Sequence, residues 1–248
     1  MLCAAPMTTP MTTPMTLAQR QAERLALALD RTYDRLQGVE LLRAMAREVF
    51  PGRLAVVASF GTESALLLDL VARVDAGLPV LFLDTGRHFP ETLAYRDLLV
   101  ARFGLSDVRS IAANPEILRR HDPDDALCRR DPDACCELRK VGPLHQALAD
   151  FDAWITGRKR YQGGTRDALA PIEAAKGRIK VNPLADWSRE QVERAFAELD
   201  LPRHPLEAEG YASVGCGPCT RAAAPEGNPR AGRWAGSGKT ECGIHWPE

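Results

Sequence analysis

The feature that most constrains the fold is an alternation of short apolar segments with helical patterns through the first two thirds of the chain. Buried strands are predicted at four places, residues 54–58, 80–83, 108–111 and 151–155. A helical apolar pattern follows the first strand, and Pro90 would begin another helix after the second. Strands that alternate with helices are joined by right-handed crossovers and form a mostly parallel sheet. We therefore predict an α/β fold, with a mostly parallel twisted sheet and helices on both faces.

Further helical patterns lie outside this alternation, at residues 17–36, 39–50 and 188–199. Pro51-Gly52 would end the second of them. Ser188 would cap the third, because its hydroxyl can accept a hydrogen bond from an unpaired backbone N–H. Short extended segments are predicted between residues 166 and 187. Glycine and proline become frequent beyond Pro202, so little regular structure is expected there.

The composition and the first residues exclude several classes of protein. The net charge of −1 gives no overall attraction to nucleic acid or to a membrane surface, and no apolar run is long enough to span a bilayer. A Met-Thr-Thr-Pro repeat at the start lacks the basic and apolar regions of a signal peptide. Seven cysteines without a secretory signal do not indicate a disulfide framework. We expect a protein of the reducing cytoplasm, with a disordered leader (1–16), an α/β domain (17–225) and a flexible segment (226–248).

Polar loops follow two of the predicted strands, where parallel sheets bind their ligands. The first loop reads Ser59-Phe-Gly-Thr-Glu-Ser64 and leads into a helix, whose N-terminus favours an anion. It matches neither the Walker loop nor the dinucleotide fingerprint. Asp84-Thr85-Gly86 follows the second strand. On these patterns alone, each loop is compatible with a nucleotide site and with an ordinary turn before a helix.

Two pairs of cysteines are candidates for metal binding, namely Cys135 with Cys136 and Cys216 with Cys219. The first pair follows a predicted helix start capped by Asp133, where thiol pKa values are lowered, and Arg139 and Lys140 flank the same face four residues later. Four thiolates can hold an iron–sulfur cluster or a closed zinc site. Alternatively, the first pair is buried packing and the second a redox dithiol. Cys3 and Cys128 lack a partner motif and are assigned no role.

Another thiol, Cys242, is the candidate nucleophile. It follows the glycine-flanked sequence at residues 236–238, which would be mobile, and Lys239 and His245 lie close to it in sequence. Neighbouring cations lower a thiol pKa and so increase the fraction of reactive thiolate. A tail cysteine without any function is the alternative.

A series of longer motifs occurs in one order between residues 55 and 245. They are Ser-Phe-Gly-x-Glu-Ser from Ser59, Leu-Asp-Thr-Gly-x-x-Phe-Pro-Glu-Thr from Leu83, Cys-Cys-x-x-Arg-Lys-Val-x-Pro-Leu from Cys135, Trp-Ile-Thr-Gly from Trp154, Thr-Arg from Thr165, Pro-Leu-Ala-x-Trp from Pro183, Cys-Gly-Pro-Cys-Thr-Arg from Cys216, and Glu-Cys-Gly-Ile-His from Glu241. Together these motifs resemble those of the assimilatory adenylyl-sulfate reductases, which are close relatives of the phosphoadenylyl-sulfate reductases.

The resemblance implies an adenine-nucleotide α-hydrolase-like sheet that binds adenosine 5′-phosphosulfate. The residues implied on the adenosine and phosphate side are Ser59, Phe60, Gly61, Thr62, Glu63, Ser64, Asp84, Thr85 and Gly86. The cations implied around the phosphosulfate are Lys140, Arg158, Lys159, Arg160, Arg230 and Arg233. His245 would contact the substrate rather than act as a base. Relatives usually carry paired arginines in the basic run at residues 158–160, so Lys159 would stand in for one of them.

The resemblance also implies a [4Fe-4S] cluster on the four paired cysteines. In this family the cluster marks the enzymes whose substrate lacks a 3′-phosphate, and with Lys140 it shapes the local field rather than shuttling electrons. Cys242 would attack the sulfate sulfur, release AMP and leave an S-sulfocysteine. Thioredoxin, or a glutaredoxin-like donor, would then release sulfite for cysteine biosynthesis. A homo-oligomer is compatible with this scheme, whereas nucleic acid and membrane partners are not expected.

Three other functions remain open at this stage. The nearest is a reductase for the 3′-phosphorylated substrate, against which the four cysteines argue. An ATP pyrophosphatase of the same fold would need a glycine-richer Ser-Gly-Gly-x-Asp-Ser loop than the one that begins at Ser59. An iron–sulfur or zinc module that senses redox state would not need Cys242, and it would not explain the loops at Ser59 and Asp84.

Overall fold

The protein is built around one six-stranded sheet. In this computed structural model, which describes residues 14–223 and 228–245, the strands are β1 (Leu54–Ala58), β2 (Val80–Asp84), β3 (Val108–Ala112), β4 (Ala153–Ile155), β5 (Ile172–Ala175) and β6 (Arg178–Val181). Their order across the sheet is β3-β2-β1-β4-β6-β5. All neighbouring strands are parallel except β5 and β6, which form an antiparallel pair. The prediction of an α/β fold with a mostly parallel sheet is confirmed.

The helices connect and flank these strands. They are α1 (Leu17–Thr32), α2 (Gly38–Ala44), α3 (Ser64–Asp75), α4 (Pro90–Phe103), α5 (Pro115–His121), α6 (Leu127–Arg130), α7 (Pro132–Cys136), α8 (Gly142–Ala147) and α9 (Arg189–Glu198). Single π-helical turns at Met45–Val49 and Glu137–Val141 extend α2 and join α7 to α8. None of the helices in residues 14–223 and 228–245 combines the length and the apolar character needed to cross a membrane.

Strand β1 shows how both faces of the sheet are covered. Leu54, Val56 and Ala58 point into a large apolar core, while Ala55 and Val57 belong to a smaller apolar cluster on the opposite face. Because successive side chains of a strand point to opposite faces, a strand buried on both sides reads as a continuous apolar run. That is why the strand could be recognised from its sequence, and the prediction of helices on both faces is confirmed.

Helix boundaries agree with the sequence where a capping residue marks them. Ser188 caps α9, and its hydroxyl accepts from the backbone N–H of Gln191 at 3.2 Å. The helix predicted at residues 17–36 begins as expected but ends at Thr32, because nothing in an apolar pattern specifies where a helix stops. The leader predicted at residues 1–16, with Cys3, lies outside the described residues except for residues 14–16.

The C-terminal part of the chain contains turns rather than long elements, as predicted from its glycines and prolines. An isolated β-bridge between His88 and Cys216 attaches it to the body, and another, between Thr220 and Arg233, joins two of its own segments. The backbone N–H of Trp234 also donates to the carbonyl of Cys219 at 2.9 Å. Residues 228–234 are therefore fastened by backbone hydrogen bonds to the segment that carries the Cys-x-x-Cys motif.

Candidate active site

A cavity of about 170 Å³ opens at the carboxyl edge of the sheet. Ala58 at the end of β1, Leu83 near the end of β2 and Thr156 directly after β4 lie on its wall. This is the edge at which parallel sheets bind their ligands. We call this space the main cavity.

The loop after β1 forms one side of the main cavity. The loop residues on the wall are Ser59, Gly61, Thr62, Glu63 and Ser64. Phe60 is absent from the wall because its side chain is fully buried and packs edge-on against Phe82, with ring centroids 5.4 Å apart. Its φ of 49° turns the loop at this position. The structure thus brings five of the six predicted loop residues to the cavity, while Phe60 anchors the loop from the core.

Glu63 organises the next part of the wall. It accepts hydrogen bonds from Lys159 Nζ at 2.7 Å and Gln162 Nε2 at 2.9 Å, and from the hydroxyl of Tyr161. Burial raises the pKa of Glu63, but the Lys159 charge and these donors outweigh that effect and hold the pKa below its ordinary value. Lys159 and Glu63 both line the cavity, so the positive charge of Lys159 is largely compensated there.

The other two residues of the basic run have different positions. Arg158 lies on the cavity wall and forms an ion pair with Glu173 of β5. Arg160 is not on the wall. Its Nε donates to the carbonyl of Leu169 at 2.7 Å, and its guanidinium pairs with Asp186 toward the surface. Of the three cations that the resemblance implied in this run, the structure brings Arg158 and Lys159 to the cavity and leaves Arg160 outside it.

Arg233 is held on the wall by its neighbours. Its Nη1 donates to the carbonyl of Val214 at 3.1 Å, and its guanidinium carbon lies 4.6 Å from the Trp234 ring centroid. A Cβ at Gly215 would lie 2.1 Å from this guanidinium, so only glycine permits the approach. Arg233 Nε is buried and has no hydrogen-bond partner among the described residues. This group therefore has a donor available for an anionic ligand.

A buried cluster of two arginines around one carboxylate was not foreseen from the sequence. Arg166 donates to Glu241 from Nε at 2.5 Å and from Nη2 at 3.1 Å, and Arg230 Nη2 donates to the same carboxylate at 3.0 Å. Burial raises the pKa of Glu241, but the two arginines outweigh it and the pKa lies below its ordinary value. All three side chains line the main cavity. The sequence placed Arg166, Arg230 and Glu241 in or near separate motifs, but no pattern in it indicates that the three side chains meet.

Cys242 and His245 lie on the wall of the main cavity, as does Lys140. Burial lowers the pKa of His245 far below its ordinary value, and the charges of Arg158 and Lys180 lower it further. The imidazole is therefore neutral near pH 7, and its Nδ1 has no hydrogen-bond partner among the described residues. A neutral ring with so low a pKa is a poor proton acceptor, in keeping with the expectation that His245 contacts the substrate rather than acting as a base.

A second, smaller cavity lies next to the first, and Lys140 lines both. The thiols on its wall are those of Cys128, Cys135, Cys136, Cys216 and Cys219. We call it the thiol cavity. The structure thus brings the two predicted cysteine pairs together. It also adds Cys128, to which the sequence assigned no role, because a single cysteine without a spaced partner gives no signal of where its side chain points.

Two predictions about the helix that carries the first cysteine pair are wrong. Asp131 caps α7, not Asp133, since its carboxylate accepts from the backbone N–H groups of Asp133 and Ala134 at 3.0 and 2.9 Å. The thiol pKa values are raised rather than lowered. Burial, and for Cys135 the neighbouring thiols, raise the pKa of Cys135 to about 12, and burial raises that of Cys136 to about 11. A five-residue helix provides too weak a dipole to offset burial.

For Lys140 and Cys216, the neighbouring charges affect the pKa more than burial does. Burial lowers the pKa of Lys140, but the sulfur atoms of Cys216, Cys242 and Cys136 outweigh it and raise the pKa. Burial raises the pKa of Cys216, but the charge of Lys140 and a contact of 3.3 Å between Thr85 Oγ1 and Cys216 Sγ outweigh it, so the pKa is lowered. Lys140 is therefore a partly buried cation that lies beside sulfur atoms of both cavities and stabilises negative charge on Cys216.

The segment after β2 lies beside the thiol cavity rather than on the wall of the main cavity. Asp84 Oδ1 accepts from the backbone N–H of Gly86 at 2.9 Å, so this carboxylate shapes its own turn. Thr85 lines the thiol cavity, and its carbonyl accepts from Arg139 Nη1 at 3.0 Å. Arg139 also pairs with buried Asp122 at 2.8 Å. The structure thus places Asp84, Thr85 and Gly86 near the predicted metal ligands.

The thiols of the thiol cavity are the donor type that an iron–sulfur cluster uses. The four thiols of the two predicted pairs line one space beside Lys140, and four cysteine thiolates are the ligand set of such a cluster. Among residues 14–223 and 228–245, no three His, Cys, Asp or Glu side chains are arranged to hold a metal ion.

Comparisons with known proteins identify the family of this chain. Residues 53–222 match the family described as the phosphoadenosine phosphosulfate reductase domain. An adenosine 5′-phosphosulfate reductase of Mesorhizobium japonicum is 49% identical over 217 residues, which cover 88% of this chain and 85% of that protein. A phosphoadenosine 5′-phosphosulfate reductase of Gloeobacter violaceus is 42% identical over 211 residues, covering 83% and 88%. The crystal structure of a phosphoadenylyl-sulfate reductase from Candida auris, in a phosphate complex, aligns with a TM-score of 0.64 at 26% identity, covering 83% of this chain and 98% of that one.

Proposed function

The chain belongs to the family of phosphoadenosine phosphosulfate reductase domains, and we propose that it reduces adenosine 5′-phosphosulfate to sulfite and AMP. One observation carries the proposal: Cys242 shares a cavity with several cations, and Lys140 connects that cavity to one lined by four paired thiols. This combination supports attack by a thiol on a sulfur atom that carries an anionic leaving group. The relatives bear names with and without the additional phosphate, so the choice of substrate is part of the proposal.

The substrate would lie across the carboxyl edge of the sheet. Ser59 and its loop would contact the adenosine and the phosphate, because backbone N–H groups before a helix favour anions. The phosphosulfate would point toward Lys140, Arg230 and Arg233. Neither Lys140 nor Arg233 forms an ion pair with a carboxylate in the described part of the chain, so both are available to an incoming anion.

The reaction would proceed in two displacement steps at sulfur. The Cys242 thiolate attacks the sulfate sulfur, the bond from that sulfur to the bridging oxygen breaks, and AMP leaves with the electron pair. Lys140 and the nearby arginines stabilise the charge that develops on the bridging oxygen. A thiolate of thioredoxin, or of a glutaredoxin-like protein, then attacks the sulfur of Cys242 and displaces sulfite. The donor's second thiol resolves the mixed disulfide, so the two electrons come from the donor.

The four paired cysteines would hold a [4Fe-4S] cluster. When bound, the cluster would supply a fixed local field beside the substrate. Lys140 lies between its site and Cys242, so this lysine would contribute positive charge to both. The cytoplasmic location and any homo-oligomer stay predictions.

Turnover with two substrates tests the proposed function. Anaerobically purified protein is given adenosine 5′-phosphosulfate or its 3′-phosphorylated analogue, with thioredoxin and its reductase as electron source. We expect kcat/KM for sulfite release to be at least about tenfold higher without the 3′-phosphate, equivalent to about 1.4 kcal/mol of transition-state binding. A preference for the 3′-phosphorylated substrate would assign the chain to the other branch of its family, and no sulfite from either would refute a reductase.

Replacement of Lys140 separates its electrostatic role from a structural one. In Lys140→Ala we expect kcat/KM to fall by about 10²-fold, because a partly buried cation no longer stabilises the leaving oxygen, while the iron content stays near that of the wild type. Lys140→Arg, which keeps the charge, should recover part of the rate. Iron and sulfide analysis beside steady-state kinetics checks this prediction. Loss of iron in Lys140→Ala would instead make Lys140 a structural support of the thiol cavity.

A further inference from the structure

The chain beyond residues 236–238 is attached to the body in an unusual way. Gly236 and Gly238 have no atoms near enough to obstruct an added Cβ, so the backbone there is surrounded by open space. No backbone–backbone hydrogen bond joins residues 239–245 to any other described residue. We call residues 239–245 the C-terminal arm. It carries Cys242, and its position depends on side-chain contacts.

The main contacts of this arm with the rest of the protein are made by three of its side chains. Ile244 packs against the smaller apolar cluster, and Lys239 pairs with Asp133 in the first turn of α7. The third contact is the bond of Glu241 to Arg166 of the body and to Arg230. Glu241 is 2% exposed, so its contact with the two arginines is shielded from solvent. The pair of Lys239 with Asp133 is less shielded, because the side chain of Asp133 is largely exposed.

The cluster around Glu241 should be the strongest of these attachments. Its carboxylate receives three hydrogen bonds from two guanidinium groups, at 2.5, 3.1 and 3.0 Å. Charge-assisted bonds that are shielded from water are stronger than exposed ion pairs. Removal of one partner from a buried ion pair is costly, because the remaining charges are left without compensation. Arg230 Nη2 also donates to the carbonyl of Thr240 at 3.1 Å, which fixes the backbone immediately before Glu241.

From this geometry we propose that Glu241 is the positioning residue of Cys242: its bond to Arg166 and Arg230 holds the C-terminal arm closed, with the thiol in the main cavity. The inference rests on the proposed function only for the consequence that closure promotes sulfur transfer. That the arm is held closed is a property of the resting protein and can be measured without substrate.

The transfer to Cys242 requires the bond between Glu241 and Arg166 to be formed, whereas the reaction with the thiol donor requires it to be broken. Attack on the bound substrate requires Cys242 inside the main cavity, whereas an external protein thiol must reach the same sulfur afterwards. The cavity of about 170 Å³ cannot admit a second protein. The arm must therefore open between the two steps, and opening breaks the bond between Glu241 and Arg166, since Arg166 belongs to the body. Glu241 would thus set the balance between a closed state that reacts with substrate and an open state that reacts with the donor.

Glu241 would hold the arm rather than compete with the substrate. Among the described residues, six cationic side chains and two carboxylates line the main cavity, and the carboxylates are those of Glu63 and Glu241. The cavity therefore keeps an excess of positive charge while Glu241 remains bound. Lys140 and Arg233, which make no ion pair with a described carboxylate, can receive the substrate anion without displacing it.

The test measures how often the arm opens. Cys242 is partly buried in the closed state, so a maleimide on a bulky polyethylene glycol chain should modify it faster in the open state, and the Cys242→Ser protein gives the background from other cysteines. We expect Glu241→Gln, which keeps the shape but not the charge, to be modified at least about tenfold faster, the factor that corresponds to 1.4 kcal/mol. Glu173→Gln removes the carboxylate that pairs with Arg158 on the body and should leave the labelling rate unchanged. Equal rates for wild type and Glu241→Gln would overturn the proposal.

Single-turnover kinetics test the positioning role. In Glu241→Gln the rate of sulfur transfer to Cys242 should fall by a factor similar to the rise in labelling, while the dissociation constant of the substrate changes less than about threefold. A sulfur-transfer rate equal to that of the wild type would show that closure does not position Cys242. Tighter substrate binding would show that Glu241 competes with the substrate for the arginines, and would also contradict the proposal.

If Glu241→Gln does not fold, Arg166→Gln breaks the same bond from the body and should give the same rise in labelling. If the wild type transfers no sulfur, the labelling result still decides whether Glu241 holds the arm, so the two proposals fail separately.

Discussion

Cys242→Ser should abolish sulfite release while the protein still binds adenosine 5′-phosphosulfate. We expect kcat to fall by at least about 10³-fold, since a serine hydroxyl is a far weaker nucleophile than a thiolate and His245, on the same cavity wall, is a poor base. His245 is neutral there, but burial and the nearby cations lower its pKa so far that it accepts a proton poorly. Substrate binding should change little, because the loop at Ser59 and the cations of the cavity remain. Sulfite release and calorimetric titration with the substrate measure the two effects.

Cys128→Ser is the matched control for this variant. Cys128 is a buried thiol in the adjoining cavity, so its replacement tests whether any thiol near the site affects turnover. The control should keep most of the activity. Turnover by Cys242→Ser within about threefold of the wild type would remove Cys242 from the mechanism, because loss of a covalent nucleophile costs far more than that.

Cys216→Ser should lose the metal cluster. A hydroxyl is a poor substitute for a thiolate on iron, and the thiol of Cys216 is buried beside Thr85 and Lys140, where no water can readily replace it. Anaerobically purified wild type should contain about four irons and four sulfides per chain, with broad absorption near the 400 nm region, roughly where thiolate-ligated clusters absorb. Cys216→Ser should contain less than about one iron, and it should unfold more easily because ligand binding stabilises the folded state.

The same Cys128→Ser protein controls this experiment. Cys128 lines the thiol cavity but stands outside the two predicted pairs, so its iron content should equal that of the wild type. Iron retained in Cys216→Ser would remove Cys216 from the ligand set. Iron lost from both variants would mean that the fifth thiol is needed, contrary to the assignment of four ligands. A colourless wild type that contains one zinc would contradict the cluster itself.

Features that depend on a short stretch of chain could be predicted from the sequence. Strand β1 is a five-residue apolar run, and the structure gives it the predicted bounds. Ser188 caps α9 because the hydroxyl and the N–H that it accepts from are three residues apart. The two cysteine pairs could be recognised because each occupies a few neighbouring positions, and the fold brings both pairs to the thiol cavity.

Features that depend on where long side chains point could not be predicted. Arg160 belongs to the basic run, yet its guanidinium pairs with Asp186, 26 residues away in sequence, and faces away from the main cavity. The buried bond between Arg166 and Glu241 joins residues 75 positions apart. Phe60 stands in the middle of the nucleotide loop but packs into the core. In each case the partner is chosen by tertiary packing, which leaves no periodic signal in the sequence.

The prediction that the pKa values of Cys135 and Cys136 are lowered was wrong for a related reason. Position near a helix start suggests a lowered thiol pKa, but the depth at which α7 is buried decides the outcome. Burial depends on tertiary neighbours such as the segment that carries Cys216 and Cys219, about 80 residues later in the chain, and a local sequence pattern does not specify such neighbours.

The mass of the protein after one turnover tests the central claim most directly. Anaerobic wild-type protein is mixed with one equivalent of adenosine 5′-phosphosulfate in the absence of any thiol, quenched in acid, digested and examined by mass spectrometry. We expect the peptide that contains Cys242 to gain the mass of one SO₃ group in step with the release of AMP, and to lose it with release of sulfite when thioredoxin is added. Release of AMP and sulfite without modification of Cys242, or modification of another cysteine instead, would contradict the account.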